Sequence, residues 1–510
     1  MSEHLPVLIV TLPLAGAVLV PLLGLFSPRS ATVATLTVLL SSLLAAIVAL
    51  ATVLTRGTWH YELGGWPPPW GIVYVVDALG GAMAVLVAFM ALLCAVHASK
   101  ALAARGMQGA LQQALHLLLA AGLLGIVLTG DVFNLYVFLE IAALAAYALL
   151  ASAGSRASVA VFRYLLMGTI AGALYLLGIG FLYALTGTLN MADLAVRLPK
   201  VEADGVVLVA VALVVIGLGV KAAVFPLHGW LPDVYAEGPP SVVAFVSSVL
   251  GKVSLYVVIR ILLFVAPAPA VSGVLSVLAP VAVVGMLAGA TMAILQQDVR
   301  RMLAYSSVSQ VGYVVLGVGL GSVAGLTGAL LHVAGHAVAK GCLFLAADNA
   351  ILRTGSSRLS SWAGLSSRLP LTAAALAVAA LSMAGLPPTA GFFAKWYLVV
   401  AALQGGKWPY VVAIVASSLL SAVYVFRLLE TVWLAPAVLE KDPPAAAEAE
   451  VARPVLANGA GGAFALEAGE APASMLAPVL VLAAAVLALG LFNQLVVGAV
   501  LTPALAPLTP

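Results

Sequence analysis

One glutamate and three lysines stand where this chain is otherwise apolar. Glu140, Lys221, Lys252 and Lys395 each lie inside a long hydrophobic run. A charge at the centre of a bilayer costs roughly 2.5–3.5 kcal/mol even on a lenient scale, and four together approach ~10 kcal/mol before any pairing. Residues kept at that cost face a protein interior or a hydrated cavity. A carboxylate and amines placed there can bind protons or other small ions and pass them on.

Each group has its own setting. Glu140 lies nine residues beyond Asp131, ~13 Å into its helix and close to mid-membrane. Lys221 lies at a similar depth, five residues before Pro226, and Glu140 is its natural partner, since pairing offsets both desolvation penalties. Lys252 lies midway along the following segment and extends the path laterally. Arg260, two turns further out, either joins that path or snorkels to the interface. Lys395 follows the Gly385–Pro388 interruption by about two turns. His332, His336 and Lys340 share one helix at i, i+4, i+8, nearly one face, where imidazoles that titrate near neutrality could relay protons between the lysines. Two histidines one turn apart on one helix do not make axial haem ligands. His228, beside Pro226, is a weaker candidate. Asp77, Asp131, Asp233, Asp298 and Asp348 fall near helix ends and read as caps or loop charges.

The elements that must position these groups are membrane helices. The 510 residues are 64% hydrophobic and 8% charged, with net charge +3. That composition describes a polytopic membrane protein and gives no basis for nucleic-acid binding. A spanning window of ~20 apolar residues predicts an all-α fold of about fourteen transmembrane helices: 5–26, 31–54, 72–96, 111–129, 131–152, 159–185, 205–226, 240–265, 273–296, 301–320, 323–350, 370–402, 408–434 and 476–501. The first run lacks a basic leader and reads as a membrane helix. A short helix is expected around Met191–Leu198, and 435–475, rich in Ala, Glu, Gly and Pro, reads as a cytoplasmic linker. Arg and Lys crowd the loops of one face: Arg29, Lys100, Arg105, Arg156, Arg300, Arg301, Arg353, Arg358, Arg368 and Arg427 among them. The other face holds Arg56, Arg197, Lys200 and Lys407. That bias places the chain in the cell (cytoplasmic) membrane with both termini outside.

Two segments share an unusual pattern: GLGVKAAVFPLHGWLPD (Gly217–Asp233) and MAGLPPTAGFFAKWY (Met383–Tyr397). Each sets a lysine beside a Pro/Gly interruption of an apolar helix, where freed carbonyls survive only in protein or beside a hydrated cavity. Interruptions at corresponding places in two halves are a mark of inverted repeats, with helices 7 and 12 broken. The expected organisation is residues 1–110 for helices 1–3, 111–265 for the first five-helix repeat, 273–434 for the second, then the linker, and 476–510 for helix 14. No P-loop, dinucleotide fingerprint or cysteine cluster is present, and Cys94 and Cys342 lack metal-ligand spacing, so no cofactor and no metal is expected.

The runs GDVFNLYVFLEI (130–141), VKAAVFPLHGWLPDVYAEGPPSVVAFVSSVLGKV (220–253), HVAGHAVAKGCLF (332–344) and GLPPTAGFFAKW (385–396) resemble the antiporter-like membrane subunits of respiratory complex I, membrane-bound hydrogenases and Mrp-type cation/proton antiporters. The resemblance covers nearly the whole chain. It implies fourteen helices, two inverted five-helix repeats, and proton transfer through Glu140, Lys221, Lys252 and Lys395. FNLYVFLE is most similar to the D-type member of Mrp antiporters, and a lysine at 395 departs from complex I M-type members, which usually carry glutamate there. The expectation is therefore a proton-translocating subunit of a multisubunit Na⁺/H⁺ antiporter, a transporter more than an enzyme. Its partners would be other membrane subunits, with sodium handled elsewhere in the complex. The alternative is a proton-pumping subunit of a redox-driven complex.

Overall fold

The structure is a computed structural model that describes residues 4–436 and 469–506. Most of the expected linker, 435–475, lies outside the described residues. The chain is a multi-span membrane protein. The helices are α1 (Leu5–Phe26), α2 (Pro28–Arg56), α3 (Ala78–Ala104), α4 (Met107–Leu128), α5 (Val132–Ala151), α6 (Ser155–Thr186), α7 (Met191–Arg197), α8 (Asp204–Lys221), α9 (Leu231–Glu237) and α10 (Pro240–Val265). They continue as α11 (Ala268–Ile294), α12 (Val299–Gly319), α13 (Val323–Thr354), α14 (Pro370–Ala384), α15 (Ala390–Gln404), α16 (Trp408–Trp433), α17 (Ala473–Leu491) and α18 (Asn493–Leu505). Thirteen of these are long and apolar enough to cross a membrane. The half-helices α14 and α15 together make the remaining crossing, helix 12. Helix 7 is α8 followed by a turn and α9, so both expected breaks are present.

The expected third span starts too early. Residues 59–62 and 73–76 form a two-stranded antiparallel hairpin, Trp59 opposite Val76, and Asp77 caps α3 at Ala78 by accepting from the Gly80 amide at 2.7 Å. An apolar window cannot separate the strand VYVV from the helix that follows, because both are continuously apolar.

The inverted repeat is visible in backbone detail. Asp131 caps α5 and Asp298 caps α12. The helix after each, α6 or α13, runs 32 residues and ends on a left-handed glycine, Gly187 or Gly355. Three residues later the chain returns to the capping aspartate, pairing Asp131 with Asn190 and Asp298 with Arg358. The amides of Val132 and Met191 donate to Leu189 and Gly130, and those of Val299 and Leu359 to Ser357 and Gln297, all at 2.9 Å. Five crossings separate the two arrangements, so they sit on opposite faces of the membrane. The enclosed centre is formed by α10, α12 and α13, whose spans have the smallest outward surface. Those helices carry Lys252, Ser306, Gln310, His332, His336 and Lys340.

Candidate functional site

Glu140 and Lys221 meet. Lys221 Nζ donates to Glu140 Oε1 at 3.1 Å, with the lysine side chain 6% and the glutamate 30% exposed. Gly172 of α6 permits this, since a Cβ there would stand 2.8 Å from Glu140 Oε1. Lys221 is the last residue of α8, at the break. The Trp230 indole, stacked on Tyr164 with ring centroids 3.8 Å apart, donates to the Val220 carbonyl at 2.9 Å, which also accepts from the Ala223 amide at 3.1 Å. Ala223 adopts φ +56°, a left-handed conformation that costs ~1–2 kcal/mol outside glycine and holds the turn off the helix. A hollow of about 10 Å³, the size of one water, lies against Lys221 and Ser254. It faces the helix that carries Lys252, two residues before Ser254.

Three further lysines are buried with backbone oxygens as partners. Lys252 donates to the Ser247 carbonyl, which is available because α10 widens to a π turn at Val246–Leu250. Lys340 donates to Leu303 O at 2.6 Å and Ser306 Oγ at 2.5 Å, both on α12. Lys395 donates to Met383 O at 2.9 Å and Ala384 O at 3.1 Å, the last carbonyls of half-helix α14. The negative end of a helix thus faces the ammonium. Gly385 joins the half-helices at φ +88°, and a Cβ there would stand 2.9 Å from Lys395 Cδ. The Tyr313 ring lies 4.7 Å from Lys395 Nζ.

Between these lysines lie His332 and His336, ring centroids 5.9 Å apart, with Tyr313 5.3 Å from His332. Among the described residues the ring nitrogens of His332 and His336 have no hydrogen-bond partner. The charges of Lys252, Lys340 and Lys395 act on them through space. Amines buried this deeply cannot all be protonated at low cost, so a proton on one bears on the others. His228 stands apart from this row. It stacks on Phe225 at 5.3 Å within the first break, and its Nδ1 has no hydrogen-bond partner among the described residues.

Arg260 does not snorkel. It pairs with Asp77 and donates to the Tyr256 hydroxyl at 2.9 Å, which in turn donates to Val127 O at 2.9 Å. Asp77 is therefore both cap and counter-ion, a role its position at a helix end did not reveal. Sequence reasoning also missed Ser306, an acceptor for Lys340, and Gln310, whose amide reaches Met383 O at 3.5 Å beside Lys395. Their signal was there as the polar run SSVSQ (306–310) on α12, which with α13 is the most enclosed of the spans, Ser306 and Gln310 falling one turn apart. Outside the membrane, Arg197 donates to Asp193 at 2.8 Å and holds that carboxyl below the usual carboxylate range.

Residues 129–421 match the family described as NADH:quinone oxidoreductase/Mrp antiporter, TM. The chain belongs to this family. Within the antiporter-like family it is 51% identical over 509 residues to the N-type subunit of NADH-quinone oxidoreductase from Desulforudis audaxviator, covering 99% of each chain. It is 33% identical to the D-type member of the Na(+)/H(+) antiporter of Alkalihalophilus pseudofirmus, over 73% of this chain and 75% of that one. Among solved structures, a chain of the Mrp complex from Dietzia sp. shares the fold with a TM-score of 0.87 at 30% identity, covering 99% of this chain and 97% of that one. The protein is thus an antiporter-like membrane subunit.

Proposed function

We propose that this chain is a proton-pumping subunit of a redox-driven, quinone-reducing membrane complex. The observation that carries the reading is the full-length 51% identity to an N-type subunit of NADH-quinone oxidoreductase. Protons would pass along Glu140, Lys221, Lys252, Lys340 and Lys395, with His332 and His336 bridging the last three and His228 at most an accessory. In the closed state Lys221 is held by Glu140. Neutralising Glu140 frees Lys221 toward the water-sized hollow and Lys252. Like charges then drive the proton from Lys252 toward Lys340 and Lys395. The free energy comes from electron transfer in partner chains. We assign the two half-channels to 111–265 and 273–434, and the Arg-rich face to the cytoplasm, with both termini outside the cell membrane.

A second reading, an Mrp-type Na⁺/H⁺ antiporter subunit with sodium handled by partners, is favoured by the relative from the Alkalihalophilus antiporter and by the likeness to the Mrp complex. The two part in one experiment. The intact complex is purified, its subunits are identified, and it is reconstituted in vesicles with an internal pH dye. The redox-pump reading expects acidification on adding an electron donor and a quinone, lost in Lys395→Ala with assembly intact. Acidification driven by a sodium gradient alone, with no redox partner in the complex, would replace it with the antiporter reading. Full pumping by Lys395→Ala would remove the charge line from both.

A further inference from the structure

The charge line leaves a second polar cluster unused. At the Arg-rich face, α2, α3, α4, α10 and α13 surround a cavity of about 130 Å³, room for several waters, with Lys100 and Arg105 at its rim. Its wall includes His97, Gln113, His116 and Asp348. His97 Nδ1 lies 3.6 Å from Asp348 Oδ2, and His97 Nε2 lies 3.1 Å from Asn349 Oδ1.

Hydrogen-bond logic fixes which ring nitrogen carries the proton. Glu470 as a carboxylate only accepts, so the Thr372 hydroxyl donates to it, at 2.8 Å. Thr372 Oγ1 is then free to accept from Asn349 Nδ2 at 3.4 Å. That turns Asn349 Oδ1 toward His97, which must donate from Nε2. In neutral His97 the bare Nδ1 lone pair therefore faces the Asp348 carboxylate. Two acceptors facing each other in a buried site repel, and a proton between them removes the repulsion. The groups around the pair are the Leu345 carbonyl and the Asn349 amide of α13, His116 from α4, Arg300 from α12, which acts on Asp348 through space, and Lys100 and Arg105 at the rim. The α2 and α17 walls add only Thr32, Thr35 and Ser474 as polar groups.

The cavity abuts both lysine-bearing helices. Asp348 lies eight residues beyond Lys340 on α13, ~12 Å along the axis, with Phe344 between them and its ring 5.9 Å from Lys340 Nζ. On the other wall His116 packs against Phe245 at 4.7 Å, directly before the π turn whose Ser247 carbonyl holds Lys252.

We propose that this cavity is a hydrated port from the Arg-rich face, and that the His97–Asp348 pair is the site where a proton is loaded before it moves to Lys252 or Lys340. The proposal rests on the proton-pumping reading above. It is tested in the assembled complex with His97→Gln, Asp348→Asn and the conservative Asp348→Glu, measuring proton transport per assembled complex across the neutral pH range. His97→Gln and Asp348→Asn should each slow transport by roughly tenfold or more and abolish the pH inflection, while Asp348→Glu keeps it. A purely structural pair would lower assembly and leave the profile of assembled complexes unchanged, which overturns the proposal. Independently, Ala98→Cys in a Cys94→Ala/Cys342→Ala background should react with a charged, impermeant thiol reagent from the Arg-rich face alone. No reaction from that face also overturns it. Lys395→Ala separates the two levels. If that variant stops transport while His97→Gln and Asp348→Asn match the parent, the port fails and the charge line stands. If Lys395→Ala itself transports fully, the underlying reading fails.

Discussion

The Glu140–Lys221 pair makes a prediction in which stability and transport move apart. At 3.1 Å and an effective dielectric near 20, Coulomb attraction is about 5 kcal/mol. The desolvation of both charges offsets part of that, leaving a coupling of roughly 2–3 kcal/mol. Glu140→Gln leaves Lys221, the more enclosed partner, without a counter-charge, and should destabilise the complex by about that amount. Lys221→Met alone leaves the carboxylate unpaired at mid-membrane depth and should destabilise the complex by a similar amount. The double variant removes both charges and should recover most of the loss. Transport should not recover, because the double variant has neither proton carrier. The assay is a double-mutant cycle from denaturant unfolding of the purified complex, run beside proton uptake in vesicles. A coupling near zero would refute the ion pair as an energetic unit. Full transport in the double variant would refute its place on the path.

Three further outcomes follow from particular contacts. Gly385→Ala forces a left-handed alanine, costing ~1–2 kcal/mol, and presses on the Lys395 stem, so transport should fall far more than stability; an unchanged transport rate shows that Lys395 tolerates displacement from the α14 carbonyls. Ser306→Ala removes an acceptor of the Lys340 ammonium, a charged hydrogen bond worth ~1.5–3 kcal/mol, and should slow transport about tenfold or more with assembly intact, checked by vesicle assays and by quantifying the assembled complex. The Asp193–Arg197 anchor should persist at neutral pH and through the ordinary carboxylate range, then loosen as acid protonates Asp193 below that range, because the guanidinium depresses its carboxyl; hydrogen exchange at 191–197 that already rises in mildly acidic buffer contradicts this.

Much of the fold and of the site was legible in the sequence, and for one reason. In a bilayer each span must satisfy its own backbone and present apolar side chains, so length and hydropathy nearly dictate the helices. The same rule makes Glu140, Lys221, Lys252 and Lys395 conspicuous, because each departs from it at a cost. Proline and glycine marked both breaks through backbone chemistry that depends on no neighbour. The hairpin at 59–76 was hidden because its second strand is as apolar as the helix it precedes.

What the tertiary structure alone decided is who meets whom. Lys395 finds the carbonyls of α14, Lys340 finds Ser306, Arg260 finds Asp77, and His97 finds Asp348 and Asn349, about 250 residues away. None of these is a local spacing. Each follows from which faces of separate helices pack together, and in a chain this uniformly apolar many packings look alike to a hydropathy pattern. A single sequence therefore states which residues carry charge into the membrane and roughly how deep. The order in which a proton could visit them, and the orientation of the ring that could receive it first, are set by distances between helices, because proton transfer needs donor and acceptor within hydrogen-bond reach.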